Sequence, residues 1–319
     1  MEKKINLSIV VPVYNTEEYL ALCLDSILAA KGSEEIEFLL IDDGSTDSSG
    51  KICDSYSETH ENIRVIHKKN EGISTTRNLG MKEARGKYVY FCDADDMVVP
   101  VLFEKVIKLS NESDEDMFLW DSELIYEMNG LLAKKDDEYF AHYGLEKTER
   151  TYTGKKIIEE LILHGKGFIA TVWLGAYRRD FLLENGIFFE DGLIYEDEMW
   201  VPKVLLASKT VHYIPEKIYQ YRVRKGSVTN PDKKKMQRNI EALIYVYSSL
   251  YTYYDQVLPD DPLLPLIKGN LTKRYLHMIY KLRFWKYGYG KRIDKKLLWK
   301  TSRRLIDKML IIGLYVIAH

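Results

Sequence analysis

Cysteine is scarce in this chain: Cys23, Cys53 and Cys92 are the whole supply in 319 residues, with no CxxC spacing. That excludes a disulfide framework and a thiolate zinc site, and points to a reducing compartment. Proline and glycine are also few, at 8 and 19 residues. Their scarcity excludes collagen-like repeats and low-complexity scaffolding, and a hydrophobic share of 46% excludes disorder. No uncharged apolar run reaches the roughly 18 to 20 residues of a membrane helix. The longest runs, Gly167–Tyr177 and Met309–Ala318, both fall short. Met1-Glu-Lys-Lys leads straight into apolar Ile5–Val13 and does not read as a secretory leader. The expected place is therefore the cytoplasm. No internal repeat is visible.

What is present alternates between two periodicities. Leu7–Val13, Glu37–Ile41 and Tyr88–Cys92 are short apolar runs that end in polar turns, as buried parallel strands do. Between them the spacing predicts helices over Glu17–Ala30, Asp47–Ser57 and Ile73–Ala84. Strand and helix in alternation build a doubly wound α/β sheet, and such sheets bind ligands outside the carboxyl ends of their strands. Those ends carry Tyr14-Asn15, then Asp42-Asp43-Gly44, then Asp93-Ala94-Asp95-Asp96. Acids converging on one crevice suit a metal and a polyphosphate. Each block also has a plain reading. Asn15 and Glu18 match a capping box, Asp42 a turn acid, and Asp96 an acid at the N-terminus of a helix starting near Pro100.

From Asn230 onward the pattern is helical, with helices expected over Met236–Tyr254 and Pro262–Lys281. Formal net charge is −2 for the whole chain, yet Lys268–Lys308 carries 14 basic residues against Asp294 and Asp307. Tyr275, Phe284, Trp285 and Trp299 are interleaved with them. Such a mixture suits a helix lying on an anionic membrane surface, or a basic helix packed on its own acidic body.

Val10-Val-Pro-Val-Tyr-Asn15, Ile41-Asp-Asp-Gly-Ser-Thr-Asp47, Glu71-Gly-Ile-Ser-Thr-Thr-Arg-Asn-Leu-Gly80 and Phe91-Cys-Asp-Ala-Asp-Asp96 follow one another in order. Together they resemble the signature of family-2 glycosyltransferases with the GT-A fold. Val172-Trp-Leu-Gly-Ala-Tyr-Arg-Arg179, Tyr195-Glu-Asp197 and Tyr219-Gln-Tyr-Arg-Val-Arg-Lys-Gly-Ser-Val228 are similar to later blocks of its bacterial polysaccharide branch.

The resemblance implies a Rossmann-like nucleotide-binding sheet in a catalytic domain over 1–230, with a helical, basic extension over 231–319. It implies an inverting transfer from a nucleotide-diphosphate sugar, UDP by preference, to a hydroxyl of a saccharide or lipid-linked acceptor. The divalent metal, Mn2+ or Mg2+, falls to Asp95 directly, with Asp93 on the metal through water or on the ribose. Pro12, Val13, Tyr14, Asn15, Asp43 and Ala94 fall on the nucleotide, with Asp43 accepting from the base. Arg77 is expected to pair with Asp43 or to reach base and phosphate. Asp197 is the implied base and Glu196 its orienting neighbour or an acceptor contact. Trp173 and Trp200 offer a sugar-stacking wall, although an aromatic in an apolar run also suits a core. Arg222, Arg224 and Lys225 are expected to close over the diphosphate. His212 lies outside the block where relatives place a late histidine ligand.

Two other classes make different demands. A sugar-1-phosphate nucleotidyltransferase needs a Gly-rich, Arg-containing loop where Pro12-Val-Tyr-Asn15 stands. A noncatalytic nucleotide- or lipid-binding scaffold needs neither Asp95 nor Asp197. No nucleic-acid-binding signature accompanies the basic tail, so no nucleic-acid partner is expected.

Overall fold

The computed structural model describes residues 5–128, 131–140, 144–165, 167, 170–223 and 233–317. Three strands, β1 (Leu7–Val13), β2 (Glu37–Asp42) and β3 (Ile63–His67), pair in parallel, and β4 (Tyr88–Phe91) joins β1 on its other side. Helices α1 (Leu20–Leu28), α2 (Ser49–Thr59) and α3 (Ile73–Glu83) connect them. Next come β5 (Met97–Val98), α4 (Pro100–Glu112), β6 (Met117–Met128), β7 (Leu131–Phe140), β8 (Arg150–Tyr152) and α5 (Gly154–Leu163). They are followed by β9 (Gly175–Arg178), α6 (Arg179–Glu184), α7 (Glu196–Ala207) and β10 (Val211–Val223). Four helices end the described chain: α8 (Lys233–Val257), α9 (Leu263–Lys281), α10 (Lys295–Thr301) and α11 (Leu305–Ile317).

All these strands form one sheet in the order β3-β2-β1-β4-β9-β6-β10-β5, with β7 added on β6 and β8 on β10. The β3-β2-β1-β4 half is parallel, as the alternation predicts. Beyond β4 the sheet is mixed, because β9 runs antiparallel to both β4 and β6. Strand β3 escapes the sequence reading: Ile63–His67 keeps only Ile63 fully buried and therefore lacks a continuous apolar run.

Every residue of β1 is buried, and its side chains alternate between two cores. Leu7, Ile9, Val11 and Val13 meet α1 and α4 on one face, while Val10 joins α3, α7, α8 and α9 on the other. The C-terminal helices share that second core, through Ile240, Leu271, Leu298, Ile311 and Leu314 among others. The expected boundary at 230/231 lies outside the described residues. Helix α11 keeps a bare outer face, with Leu305, Met309, Ile312 and Val316 on one stripe and Leu305 and Val316 77% and 75% exposed. Among the described residues no helix is long and apolar enough to cross a membrane.

Helix α3 lies very close to β1 because Gly80 has no side chain: a Cβ there would stand 2.3 Å from Val10 Cγ1 and 3.1 Å from Ile41 Cδ1. Gly80→Ala is therefore expected to lower stability by about 1–3 kcal/mol through overpacking, despite the gain in helix propensity. Calorimetry checks this, and an unchanged or raised melting temperature would contradict the close approach.

Candidate functional site

The carboxyl ends of β1, β2 and β4 lie side by side, and the turns after them are tied together by hydrogen bonds. Asp43 N donates to Val13 O at 2.8 Å. The buried Asp43 carboxylate accepts from Glu71 N and Gly72 N, both at 2.9 Å, and from Lys68 Nζ. Two donors meet Oδ1 and one meets Oδ2, and a carboxylate offers about four acceptor positions. Gly44 has φ +72, and a Cβ there would meet Asn70 N at 2.9 Å, so the turn between strand and crevice needs glycine. Asp42 behaves as the turn acid expected of it. Burial pulls its pKa up, but hydrogen bonds from Ser45 and His67 outweigh that and lower it.

Asn15 departs from the capping-box reading. Its φ is +51, its Oδ1 accepts from Thr46 N at 2.8 Å, and α1 begins only at Leu20. The side chain thus staples the β1 turn to the β2 turn instead of capping a helix. Pro12, Val13 and Ala94 are buried at the strand ends, and Tyr14 stands 49% exposed at the mouth.

Arg77 is the pivot of the site, with a different partner from the expected Asp43. Only 4% exposed, it donates from Nη2 to Asp93 Oδ1 at 2.8 Å and from Nη1 to Glu196 Oε1 at 2.5 Å. Asp93 therefore has a cation beside it already. Asp96 is likewise a brace and not a helix acid. It is buried, and it accepts from Tyr219 Oη at 2.6 Å and Arg222 N at 2.7 Å, while Arg222 Nε donates to Asp95 O at 2.8 Å. Burial, then the charges of Asp95 and Asp93, push the Asp96 pKa well above the usual range. Arg222 is thus a buried strut of the acidic turn; Arg224 and Lys225 lie outside the described residues. His212 pairs with Glu149 at 2.9 Å, apart from these acids.

Helix α7 starts with Glu196-Asp197-Glu198 immediately after Tyr195, whose φ of +65 is costly for a residue with a Cβ. That bend sets Glu196 and Asp197 in the wall of a cavity of about 550 Å3 bordered also by Gly72, Ser74 and Arg238. Glu196 pairs with Arg77 and Glu198 with Arg274. Asp197 accepts only from Glu198 N, at 2.8 Å, among the described residues. Burial first, then Glu196 and Glu198, hold the Asp197 carboxyl well above its ordinary value, against the pull of Arg77.

Two lining groups escape the sequence reading: Ser74, whose buried hydroxyl has no partner among the described residues, and Arg238 of α8. Ser74 lies within the Glu71–Gly80 block without being singled out there, and Arg238 lies beyond every block. Trp173 and Trp200 serve the core and do not form an open wall. Trp173 is 6% exposed and stacks on Tyr219 at 4.4 Å; Trp200 stacks on Phe189 at 4.4 Å.

Among the described residues no three His, Cys, Asp or Glu side chains group into a ready-made cation cage. Asp95 and Asp93, both half-buried, still present hard oxygen donors at the β4 end. Mn2+ and Mg2+ need only one or two carboxylates when phosphate oxygens and water complete the shell. The donor set fits such a shared cation.

The raised pKa of Asp197 has a defined consequence for stability. The folded chain keeps the proton more tightly than the unfolded chain, whose ordinary value is 3.8. Stability that is full below that value is lost as pH rises through the folded pKa. Asp197→Asn should abolish that slope, so its melting temperature should exceed that of the parent increasingly as pH rises above about 4. Parallel melts across that range check this, and identical pH profiles would place Asp197 in an ordinary environment.

Comparison with known proteins agrees with the geometry. The family model described as glycosyl transferase family 2 matches residues 8–184, more than half of the chain. The chain is 32% identical over 251 residues to the uncharacterized glycosyltransferase EpsJ of Bacillus subtilis, covering 78% of this chain and 70% of that protein. It is 30% identical over 225 residues to the uncharacterized glycosyltransferase YibD of Escherichia coli, covering 70% of this chain and 63%, less than two thirds, of that protein. Among solved structures, S. aureus TarS 1–349 in complex with UDP-GlcNAc matches with a TM-score of 0.63 at 19% identity, over 97% of this chain and 89% of that one. That likeness shows the fold, the GT-A arrangement of sheet and helices. With the family match, the ordered motifs and the strand-end crevice in agreement, the chain belongs to glycosyl transferase family 2.

Proposed function

We propose that this glycosyltransferase inverts the anomeric centre while moving a sugar from a UDP-linked donor to a hydroxyl of a saccharide or lipid-linked saccharide acceptor, in the building of a cell-surface polysaccharide. One observation carries the reading: Arg77 joins Asp93 of the acidic turn to Glu196, the neighbour of Asp197. An inverting displacement needs a base on one face of the anomeric carbon and a stabilised leaving group on the other. The Arg77 fork holds candidates for both across one crevice.

In this reading Asp197 takes the proton of the acceptor hydroxyl, and its raised proton affinity suits that step. Glu196, fixed by Arg77, keeps the start of α7 in place. Asp43 has one acceptor position left for a uracil N3–H, and exposed Tyr14 offers a face for the base. Pro12, Val13, Asn15 and Ala94 shape the wall through strand-end backbone. A divalent metal, Mn2+ or Mg2+, held by Asp95 with Asp93 would neutralise charge building on the leaving diphosphate. The UDP-GlcNAc in the TarS complex supports a uridine nucleotide. The bare apolar stripe of α11, beside Lys295, Lys300 and Lys308, supports a seat on the anionic inner face of the cell membrane.

Thermal shift with UDP, GDP, ADP and CMP, each with and without Mn2+, tests the donor. Ligand at 100 times its Kd adds about 2.7 kcal/mol, a rise on the order of 2–4 °C per kcal/mol. The expected rise appears only with UDP and Mn2+ and vanishes in Asp95→Asn. A rise with GDP alone, or one indifferent to Mn2+, would overturn the donor or the metal.

The membrane seat predicts cosedimentation with phosphatidylglycerol vesicles that Leu305→Ser/Met309→Ser/Ile312→Ser abolishes. These substitutions spare buried Ile311 and Leu314, which a deletion of the tail would remove from the core. Unaltered sedimentation of the variant would refute the seat.

A further inference from the structure

Where α9 passes the start of α7 and the inner side of α11, a second cavity of about 720 Å3 opens. Lys273, His277 and Lys281 line it from α9 at spacings of four, so they form one stripe on a single helix face. The remaining charges in the wall are already matched. Arg274 pairs with Glu198, and Arg304 pairs with Asp307, its Nε 2.8 Å from Oδ2. Among the described residues the side chains of Lys273, His277 and Lys281 have no hydrogen bond or ion pair. Lys273 and Lys281 leave the cavity with two uncompensated positive charges. Leu276, Met278 and Leu310 add apolar wall beside the cations.

Three consecutive residues at the start of α7 are divided between this cavity and the crevice described above. Glu196 and Asp197 line the first cavity, while Glu198 lines the second. An acceptor whose hydroxyl lies at Asp197 therefore has this basic cleft within reach of its next groups. We propose that the cleft between α7, α9 and α11 binds the phosphate group of a phosphate-bearing acceptor, with Lys273 and Lys281 as its anion contacts and Leu276, Met278 and Leu310 as the bed for an attached apolar chain. Lysines act on phosphate as point charges that need no fixed fork geometry, which suits an open cleft. The proposal rests on the acceptor reading above and names the acceptor's chemical class.

Calorimetric titration of the full chain with geranyl diphosphate and with inorganic pyrophosphate, in excess UDP to fill the nucleotide crevice, tests the cleft. Both should bind, and Lys273→Gln/Lys281→Gln should weaken them at least about tenfold, as expected when charge-assisted contacts to an anion are lost. Tighter binding of geranyl diphosphate than of pyrophosphate would put the apolar chain on Leu276 and Leu310. Equal binding would confine the site to the phosphate group. Equal affinity of parent and variant, or no binding by the parent, would overturn the proposal. Should the double variant not fold, Lys281→Gln at its exposed position makes the same comparison. The UDP thermal shift separates the two readings. If it is retained in the variant while geranyl diphosphate binding falls, both stand. If it is absent from the parent, the donor reading fails without touching the cleft.

Discussion

The site depends on one buried guanidinium. Arg77 is almost wholly removed from water, and both faces of its fork are occupied by carboxylates from segments more than a hundred residues apart. A buried charge is tolerated only when it is paired, and removing one partner strands the other in a medium that solvates it poorly. The fork therefore couples three things: the seat of α3 on β1, the direction of the acidic turn after β4, and the start of α7. The close approach that Gly80 permits belongs to the same constraint, because α3 must lie against the sheet for Arg77 to reach both acids.

A second arginine completes the arrangement from the other side. Arg274 of α9 takes Glu198, as Arg77 takes Glu196, and Asp197 is left between two matched acids with no ion pair among the described residues. Its proton affinity rises for that reason. Burial disfavours the anion, the flanking carboxylates repel it, and the cations that would relieve it are engaged beside it. The helical extension thus borders the candidate site and does more than cover the sheet. It supplies Arg274, the lining residue Arg238 and a large share of the second core.

Much of this was legible in the residues. The apolar runs of β1, β2 and β4 are buried on both faces and so carry no polar alternation to confuse them, and the sequence reading places them to within a residue. Asp93, Asp95 and Asp197 stand out in the sequence only through motif order, as residues that the family resemblance implies. Strand β3 was not, because an edge strand with partly exposed faces has a weak pattern. The capping-box reading of Asn15 failed because its carboxamide reaches a neighbouring turn across the sheet, a contact that local spacing does not encode. Trp173 failed as a stacking wall because β10 brings Tyr219 and Tyr221 onto its ring.

By itself the sequence determined the fold class, the order of strand and helix, the strand-end acids and the basic, aromatic character of the last helices. These are properties of short segments, set by periodicity, turn chemistry and charge within a few residues. Only the tertiary structure decided which acid meets which arginine, which aromatic rings are core, which carboxyl of Glu196-Asp197-Glu198 is left unmatched, and where basic residues of α9 line a cleft. Those outcomes depend on pairing between distant segments in a region of low dielectric. There a partner 3 Å away changes the protonation of a group whose sequence neighbours are the same in any fold.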